Sequence, residues 1–210
     1  MVDLTLTDEQ KDLREMAHNF AENEMRKVAW EYDKDGTWPA EIIQKSWELG
    51  LMNSHLPEEY GGPGLDYLSG TLIEEELGWG CSGIGTSISC NGLATAPIVL
   101  GGSEEVKKKY LGMLSEEPKL ASFCLTEPDA GSDVSGMRTT AVKMGDEYVI
   151  NGSKCFITNG GYADYYTVYA KTDKDAGHKG ISAFAAALPG AGPGGRSSWS
   201  SAKSPLPIRS

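Results

Sequence analysis

Two short segments in the second half of the sequence combine hydroxyl groups and glycines in a way that could bind a small ligand. The first covers residues 123–136, FCLTEPDAGSDVSG, and the second covers residues 156–161, FITNGG. In the first, Thr126 and Ser132 add hydroxyl donors to a turn that exposes backbone N–H groups, and Gly131 lets a ligand approach the chain closely. Together the segments could offer a flat aromatic contact and several donors to a planar ligand rich in acceptors. The alternative is two ordinary hairpin turns.

The cysteines and histidines do not form a metal or redox motif. The four cysteines stand at positions 81, 90, 124 and 155, with no C-x-x-C pair, and the sequence has only three histidines. A zinc ribbon or a dithiol redox site would need closer spacing. We therefore expect no metal site and four reduced, mostly buried thiols.

The elements that must position the two segments change type near residue 119. Before it, apolar residues recur at helical spacing, as at positions 13, 16, 17 and 20, and Thr7 with Gln10 forms a capping box. After it, turn residues separate short strand-like runs at 120–125, 138–142, 147–150, 155–158 and 165–170. The pair Asn151-Gly152 is expected to form a hairpin turn. The sequence predicts an α+β protein, with an all-α helical domain over residues 1–118 and a β region over residues 119–184.

The charge balance excludes some classes of partner. The chain has 19 Lys and Arg against 30 Asp and Glu, a net charge of −11. An acidic chain lacks the electrostatic footprint of a nucleic-acid or anionic-membrane binder. No uninterrupted apolar run reaches the roughly 18–20 residues that span a bilayer, and the first residues lack a targeting pattern. We therefore expect no nucleic-acid partner and no membrane span.

The last part of the sequence, residues 185–210, differs from the rest. It is dominated by Ala, Gly, Ser and Pro, and it carries three basic residues and no acidic one. This composition predicts an aberrant, disordered tail. Gly190, Gly192 and Gly195 match the spacing of a dinucleotide-binding loop, but Pro193 lies inside it and no helix pattern follows, so we reject that interpretation.

The two candidate segments resemble the flavin elements of a known family. Residues 124–136 resemble the N-terminal signature of the acyl-CoA dehydrogenases at every restricted position, and residues 157–160, ITNG, resemble their second flavin element. Further matches stand in order at 47–52, 57–62, 75–77 and 107–112. The resemblance covers about residues 4–184 and looks closest to the medium-chain enzymes of fatty-acid β-oxidation.

This resemblance implies a fold, a reaction and partners. The fold is an N-terminal helical domain, a central β-barrel and a C-terminal four-helix domain, of which the last is absent here and the barrel is incomplete. In the reaction, a glutamate removes a proton α to the thioester carbonyl while a hydride moves from the β-carbon to FAD. The polarised thioester oxygen and the positioned base make that weakly acidic proton removable. The resemblance also implies an acyl-CoA substrate, electron transfer to an electron-transferring flavoprotein, and a homotetramer.

The resemblance also assigns roles to individual residues. Ser132 is expected to lie where flavin and acyl-CoA meet and to touch both. The residues expected to contact FAD are Phe123, Leu125, Thr126, Gly131, Ser132, Phe156, Ile157 and Thr158. Those expected to line the acyl pocket are Gly85, Thr86, Ser89 and Leu93. Phe156 stands where relatives often have Trp, and Gly85 and Ser89 stand where medium-chain relatives have Gln and Glu, so the chain-length preference stays open.

No residue matches the position of the catalytic base. The acids at 74–76 are expected to form a solvated helix face, and Glu127 is expected to be a structural acceptor in its turn. The base glutamate is expected in the missing four-helix region, so the chain is interpreted as a truncated dehydrogenase that is inactive alone. The alternatives are a relative of the acyl-CoA oxidases, a non-enzymatic fragment, or a non-functional product of a frameshift or missplicing. In a eukaryote the family implies the mitochondrial matrix, without a visible transit peptide here, and otherwise the cytoplasm.

Overall fold

The computed structural model describes residues 5–187, 198–204 and 207–208. They fall into two compact units, residues 1–89 and 90–210. The change from helices to strands lies between Glu116 and Ala121, but the division between the units lies earlier, inside a helix. The α+β class is confirmed, since helices come first and a curled, half-barrel sheet follows. The four-helix domain implied by the resemblance is not among these 210 residues.

The first unit is helical. Its helices are α1 (Asp8–Phe20), α2 (Ala29–Asp35), α3 (Ala40–Glu48) and α4 (Tyr67–Gly80), and α5 (Ser82–Gly101) begins in it. A π-helical turn extends α1 over Ala21–Arg26.

Helix α1 begins at the predicted capping box. The Thr7 hydroxyl accepts from the Gln10 amide, and the Gln10 side chain accepts from the Thr7 amide, so two free donors of the first turn are satisfied. The end of α4 packs closely against the turn after α1, because a Cβ on Gly80 would lie 2.8 Å from the Ala21 Cβ. Of the predicted apolar stripe of α1, Ala17 and Phe20 are buried and Leu13 and Met16 are half-buried, so the helical spacing predicted the inner face of this helix correctly.

The second unit contains the remainder of α5, helix α6 (Glu104–Glu116) and the sheet. The strands are β1 (Ala121–Cys124), β2 (Thr140–Met144), β3 (Glu147–Ser153), β4 (Tyr165–Lys171), β5 (Ile181–Ala186), β6 (Ser198–Ser204) and β7 (Pro207–Ile208). Their order in the sheet is β6-β3-β2-β4-β5-β7, and β1 pairs with β4 in parallel. The central strand β4 is almost wholly buried, and it pairs with β1, β2 and β5.

The expected hairpin turn at Asn151-Gly152 is wrong. Strand β3 continues through Ser153, and its hairpin with β2 turns at residues 145–146, where Gly145 has a positive φ of 65°. Gly152 is needed for close packing instead, because a Cβ there would lie 2.2 Å from the Thr139 Oγ1. The glycine at position 152 is therefore explained by close packing within a strand and not by a turn.

The expected strand at residues 155–158 is also wrong. Phe156 and Asn159 have positive φ values of 56° and 61°, which no β-strand tolerates. The segment is an irregular connection between β3 and β4.

The expected disorder of residues 185–210 does not hold for those that the structure describes. Strand β5 runs through Ala186, and both Ala185 and Ala186 are buried. Strand β6 pairs with β3, and β7 pairs with β5. Small residues suit β5, because Ala185 lies opposite Thr167 of β4 and its carbonyl accepts from the Tyr110 hydroxyl at 3.2 Å. Residues 188–197, 205–206 and 209–210 lie outside the described part.

Helix α5 differs from the expectation that no segment is long and apolar enough to span a membrane. It has 20 residues, and an 18-residue stretch of it has a mean hydropathy of 1.2, which is enough by length and composition to cross a membrane. The core helix of a soluble protein meets the same criterion, and 44% of this stretch is buried. The finding is weak evidence for a span.

Candidate functional site

The first candidate segment begins at the end of β1, and Asn91 of α5 fixes where that strand starts. The Asn91 Oδ1 accepts from the Ala121 amide at 2.7 Å, and its Nδ2 donates to the Lys119 carbonyl at 3.0 Å. Asn91 is buried. Sequence reasoning missed it, because one polar residue in an apolar helix gives no sign of its partner 30 residues away.

The structure brings the two candidate segments together. The Cys155 amide donates to the Thr126 carbonyl at 3.0 Å, and the Ser122 hydroxyl donates to the Thr158 carbonyl at 2.7 Å. The residues just after β1 therefore run beside residues 155–158.

The turn after Thr126 is closed by a pair of backbone hydrogen bonds. The Glu127 amide donates to the Ala130 carbonyl at 2.9 Å, and the Ala130 amide donates back at 3.2 Å. Beyond this turn, Gly131 and Ser132 are exposed. A Cβ placed on Gly131 would meet nothing within 4 Å, so the backbone there is open to a ligand.

Glu127 is buried and acts as the structural acceptor that the sequence predicts. Its carboxylate accepts from the Arg138 amide at 2.6 Å, from the Thr139 amide at 3.0 Å and from the Lys154 ammonium at 2.8 Å. Burial by itself would raise the pKa of Glu127, but these donors more than offset it and hold that pKa below its ordinary value. The carboxylate is therefore charged near neutral pH and joins the turn to the start of β2.

Lys154 is the partner that sequence reasoning missed. Its side chain is 1% exposed, against 5% for Glu127, and its ammonium also donates to the Leu125 carbonyl at 2.9 Å. Burial lowers the pKa of Lys154, and the Glu127 carboxylate opposes that effect. The sequence shows only that Lys154 follows a strand-like run, and it gives no sign of the partner at position 127.

The aromatic residues at the site differ in exposure. Phe123 is half-buried and meets the Tyr169 ring edge-on at 5.2 Å between centroids. Phe156 is 94% exposed and has a left-handed backbone. Ile157 and Thr158, which follow it, are half-buried. A large apolar residue held exposed in a strained conformation is a feature of ligand sites.

The residues expected to line an acyl pocket all lie on α5, but they are not equally accessible. A Cβ on Gly85 would lie 3.0 Å from the Leu77 backbone, so this glycine serves the close approach of α4 and α5. The Thr86 hydroxyl donates to the Ser82 carbonyl in its own helix. Ser89 is half-buried, and Leu93 is 61% exposed. Gly85, Thr86 and Ser89 belong to the first unit and Leu93 to the second.

Within the described residues, no three metal-binding side chains come together, and the four cysteines are free thiols. Burial raises the pKa of both the Cys90 and the Cys124 thiols. These two thiols are therefore poor nucleophiles, because the thiolate is the reactive form.

Two family models match the chain in succession. The model of the acyl-CoA dehydrogenase N-terminal domain matches residues 7–117, and that of the middle domain matches residues 122–207. The chain belongs to the acyl-CoA dehydrogenase family. The resemblance of the two candidate segments is thereby confirmed, and the middle-domain match extends through β6 into β7.

Curated acyl-CoA dehydrogenases are similar to most of the chain. A probable medium-chain specific acyl-CoA dehydrogenase 2, mitochondrial, of Caenorhabditis briggsae is 48% identical over 80% of this chain and 41% of its own length. A short-chain specific acyl-CoA dehydrogenase of Clostridium acetobutylicum is 45% identical over 87% of this chain and 48% of its own. The chain thus spans less than half the length of these relatives. The first relative is named mitochondrial and the second comes from a bacterium, so the compartment of this chain stays a prediction.

Solved acyl-CoA dehydrogenases, and a chain in the structure of an electron transferring flavoprotein, share the fold. Butyryl-CoA dehydrogenase from Megasphaera elsdenii is 38% identical with a TM-score of 0.84, over 99% of this chain and 58% of that one. A chain in the structure of the electron transferring flavoprotein of Acidaminococcus fermentans is 40% identical with a TM-score of 0.86, with the same coverage. A glutaryl-CoA dehydrogenase from Mycobacterium smegmatis, solved in complex with FADH2, is 29% identical with a TM-score of 0.79, over 97% of this chain and 54% of that one.

The residues at the end of β1 fit the flavin that an acyl-CoA dehydrogenase uses. The exposed Phe156 ring offers a flat apolar contact, and the backbone at Gly131 is open. Hydroxyls of Thr126 and Thr158 lie on neighbouring segments that are tied together by hydrogen bonds. This donor set suits an isoalloxazine, which presents an apolar face and an edge rich in acceptors.

Proposed function

We propose that this chain is the helical and middle part of an FAD-dependent acyl-CoA dehydrogenase, which oxidises the α,β bond of a fatty acyl-CoA. The observation that carries the proposal is that the two candidate segments lie side by side. The amide of Cys155, just before the second segment, donates to the Thr126 carbonyl at 3.0 Å, and the hydroxyl of Ser122, just before the first, donates to the Thr158 carbonyl at 2.7 Å. The two family-model matches and the medium-chain relative support the same activity.

The chain's residues divide into two groups in this proposal. Those that hold FAD are Phe123, Leu125, Thr126, Gly131, Ser132, Phe156, Ile157 and Thr158. Those that contact the acyl-CoA are Ser132, Gly85, Thr86, Ser89 and Leu93. FAD, when bound, supplies the hydride acceptor. The protein's part is to fix the ring and to place the substrate beside it.

We expect residues 1–210 to be inactive without further chain. Glu127 is the glutamate at the turn, but its carboxylate is buried and engaged by two amides and an ammonium. It therefore cannot reach a substrate proton. Loss of a general base alone lowers a rate by about 10²–10⁴-fold, and a partial site also binds its ligands weakly, because contacts are lost while the cost of fixing the ligand stays nearly the same.

Substrate length and partners belong to the proposal as well. The relatives carry short-chain, medium-chain and butyryl names, so we propose a straight-chain acyl-CoA with octanoyl-CoA as the first probe. The Acidaminococcus fermentans neighbour supports an electron-transferring flavoprotein as acceptor. A homotetramer is proposed for the full-length protein.

The activity is tested by supplying the purified chain with FAD, octanoyl-CoA and a dye acceptor. We expect no turnover above that of a Thr126→Ala, Ser132→Ala variant, because in this proposal no residue within 1–210 serves as the base. Turnover of the wild-type chain well above the variant would mean that a residue within 1–210 replaces the base, and the proposed inactivity would be wrong.

A further inference from the structure

Lys154 places a positive charge behind one particular peptide group. Its ammonium lies 2.9 Å from the Leu125 carbonyl oxygen and 2.8 Å from the Glu127 Oε1. The Leu125 carbonyl belongs to the same peptide as the Thr126 N–H. The charge therefore acts on the peptide that joins two residues assigned above to the flavin.

The burial of this lysine needs an explanation beyond stability. The ammonium is 1% exposed, and taking a charge out of water costs several kcal/mol, which a single ion pair repays only in part. Replacing such a buried pair as a whole by apolar residues of similar volume is often neutral or stabilising. The Lys154 ammonium contacts the Leu125 carbonyl as well as Glu127, so its charge acts on that peptide group too.

A cation on a carbonyl oxygen changes the whole peptide. It draws electron density towards the oxygen, so the N–H of that peptide becomes a stronger hydrogen-bond donor. A charge-assisted hydrogen bond is also shorter and more rigid than a neutral one. The Lys154 ammonium therefore both holds the Leu125–Thr126 peptide in place and sharpens the donor that Thr126 presents.

Glu127 makes this arrangement possible. It balances the charge of Lys154 and binds the Arg138 and Thr139 amides with the same carboxylate. The pair thus connects the end of β1, the start of β2 and the residue after β3. Removing Glu127 alone would leave the ammonium buried without a counter-charge.

We propose that Lys154, held by Glu127, is a positioning residue that fixes and polarises the Leu125–Thr126 peptide for flavin binding. The inference rests on the proposed function for its ligand, but the state of the peptide can be measured without FAD. Lys154 itself does not touch the flavin in this account.

The test uses the full chain with Lys154→Met, Lys154→Arg and the double variant Glu127→Gln, Lys154→Met. The double variant removes both charges, so it avoids a buried unpaired ion. Its glutamine has one acceptor oxygen for the two amides of Arg138 and Thr139, so we expect it to fold with a lower melting temperature than the wild type. The control is Lys45→Met, which breaks the exposed ion pair that Lys45 makes with Glu24.

The first measurement is the Thr126 amide proton shift in the NMR spectrum without FAD. We expect an upfield shift in Lys154→Met and in the double variant, recovery in Lys154→Arg, and no change in Lys45→Met. A double variant that folds and keeps the wild-type Thr126 shift would overturn the proposal, because it would show that the Lys154 charge does not polarise the Leu125–Thr126 peptide.

The second measurement is the FAD dissociation constant from flavin fluorescence. We expect Lys154→Met and the double variant to bind at least about tenfold more weakly, and Lys154→Arg to recover most of the affinity. Equal affinity in the double variant and the wild type would contradict the proposed positioning. If the wild-type chain bound no FAD at all, the proposed function would fail, while the Thr126 shift would still decide the state of the peptide.

Discussion

At the scale of single residues, one carboxylate organises the turn that carries the flavin signature. Glu127 accepts two backbone amides and the Lys154 ammonium while nearly excluded from water. The sequence was sufficient to predict an acceptor there, since an acid in a turn of small residues needs donors nearby. It did not identify Lys154, because no local pattern links residues 27 positions apart.

Glu127 makes the stability of the chain depend on acid pH. Its pKa is lower in the folded state than its ordinary value of 4.5. The stability it contributes is therefore complete above about pH 4.5 and is lost as pH falls through the lower, folded pKa. We expect the urea midpoint of the wild type to fall more steeply between pH 5 and pH 3 than that of the double variant Glu127→Gln, Lys154→Met. Parallel pH profiles for the two proteins would contradict this assignment.

At the scale of elements, local signals predicted the helices well and the strands less well. The capping box at Thr7 lies at the observed start of α1, because caps act within one turn of the chain. The strands depend on distant partners: the Asn151-Gly152 pair predicts a turn, but Gly152 lies within β3 against Thr139. The composition predicts disorder for residues 185–186, but these alanines fit beside β4 and α6.

The packing role of Gly152 can be tested by a pair of glycine substitutions. Gly152→Ala would place a Cβ 2.2 Å from the Thr139 Oγ1 and 2.7 Å from its Cα, so we expect a loss of about 1–3 kcal/mol of unfolding free energy. Gly112→Ala is the matched control, because it lies in α6 with nothing within 4 Å. The control should be neutral or stabilising by up to about 1 kcal/mol. Equal denaturant midpoints for Gly152→Ala and the wild type would show that Gly152 is not a packing residue.

At the scale of the whole molecule, the chain matches only part of its curated acyl-CoA dehydrogenase relatives. Those relatives are more than twice as long as the segment matched here. The signature residues identified the family from the sequence alone, and the two family models agree with it. What sequence could not give is the way that the two segments meet, since that depends on hydrogen bonds between residues such as Ser122 and Thr158. The central claim is that these segments form the chain's contribution to a flavin site.

The measurement that tests this claim most directly is a titration of the chain with FAD, followed by flavin fluorescence. We expect weak, saturable binding by the wild type, because the segments supply only some of the flavin's contacts. The variant Thr126→Ala, Phe156→Ala should bind at least about tenfold more weakly, and the exposed control Thr71→Ala in α4 should bind as the wild type does. No saturable binding by the wild type, or equal affinity in all three proteins, would contradict a flavin site at the end of β1.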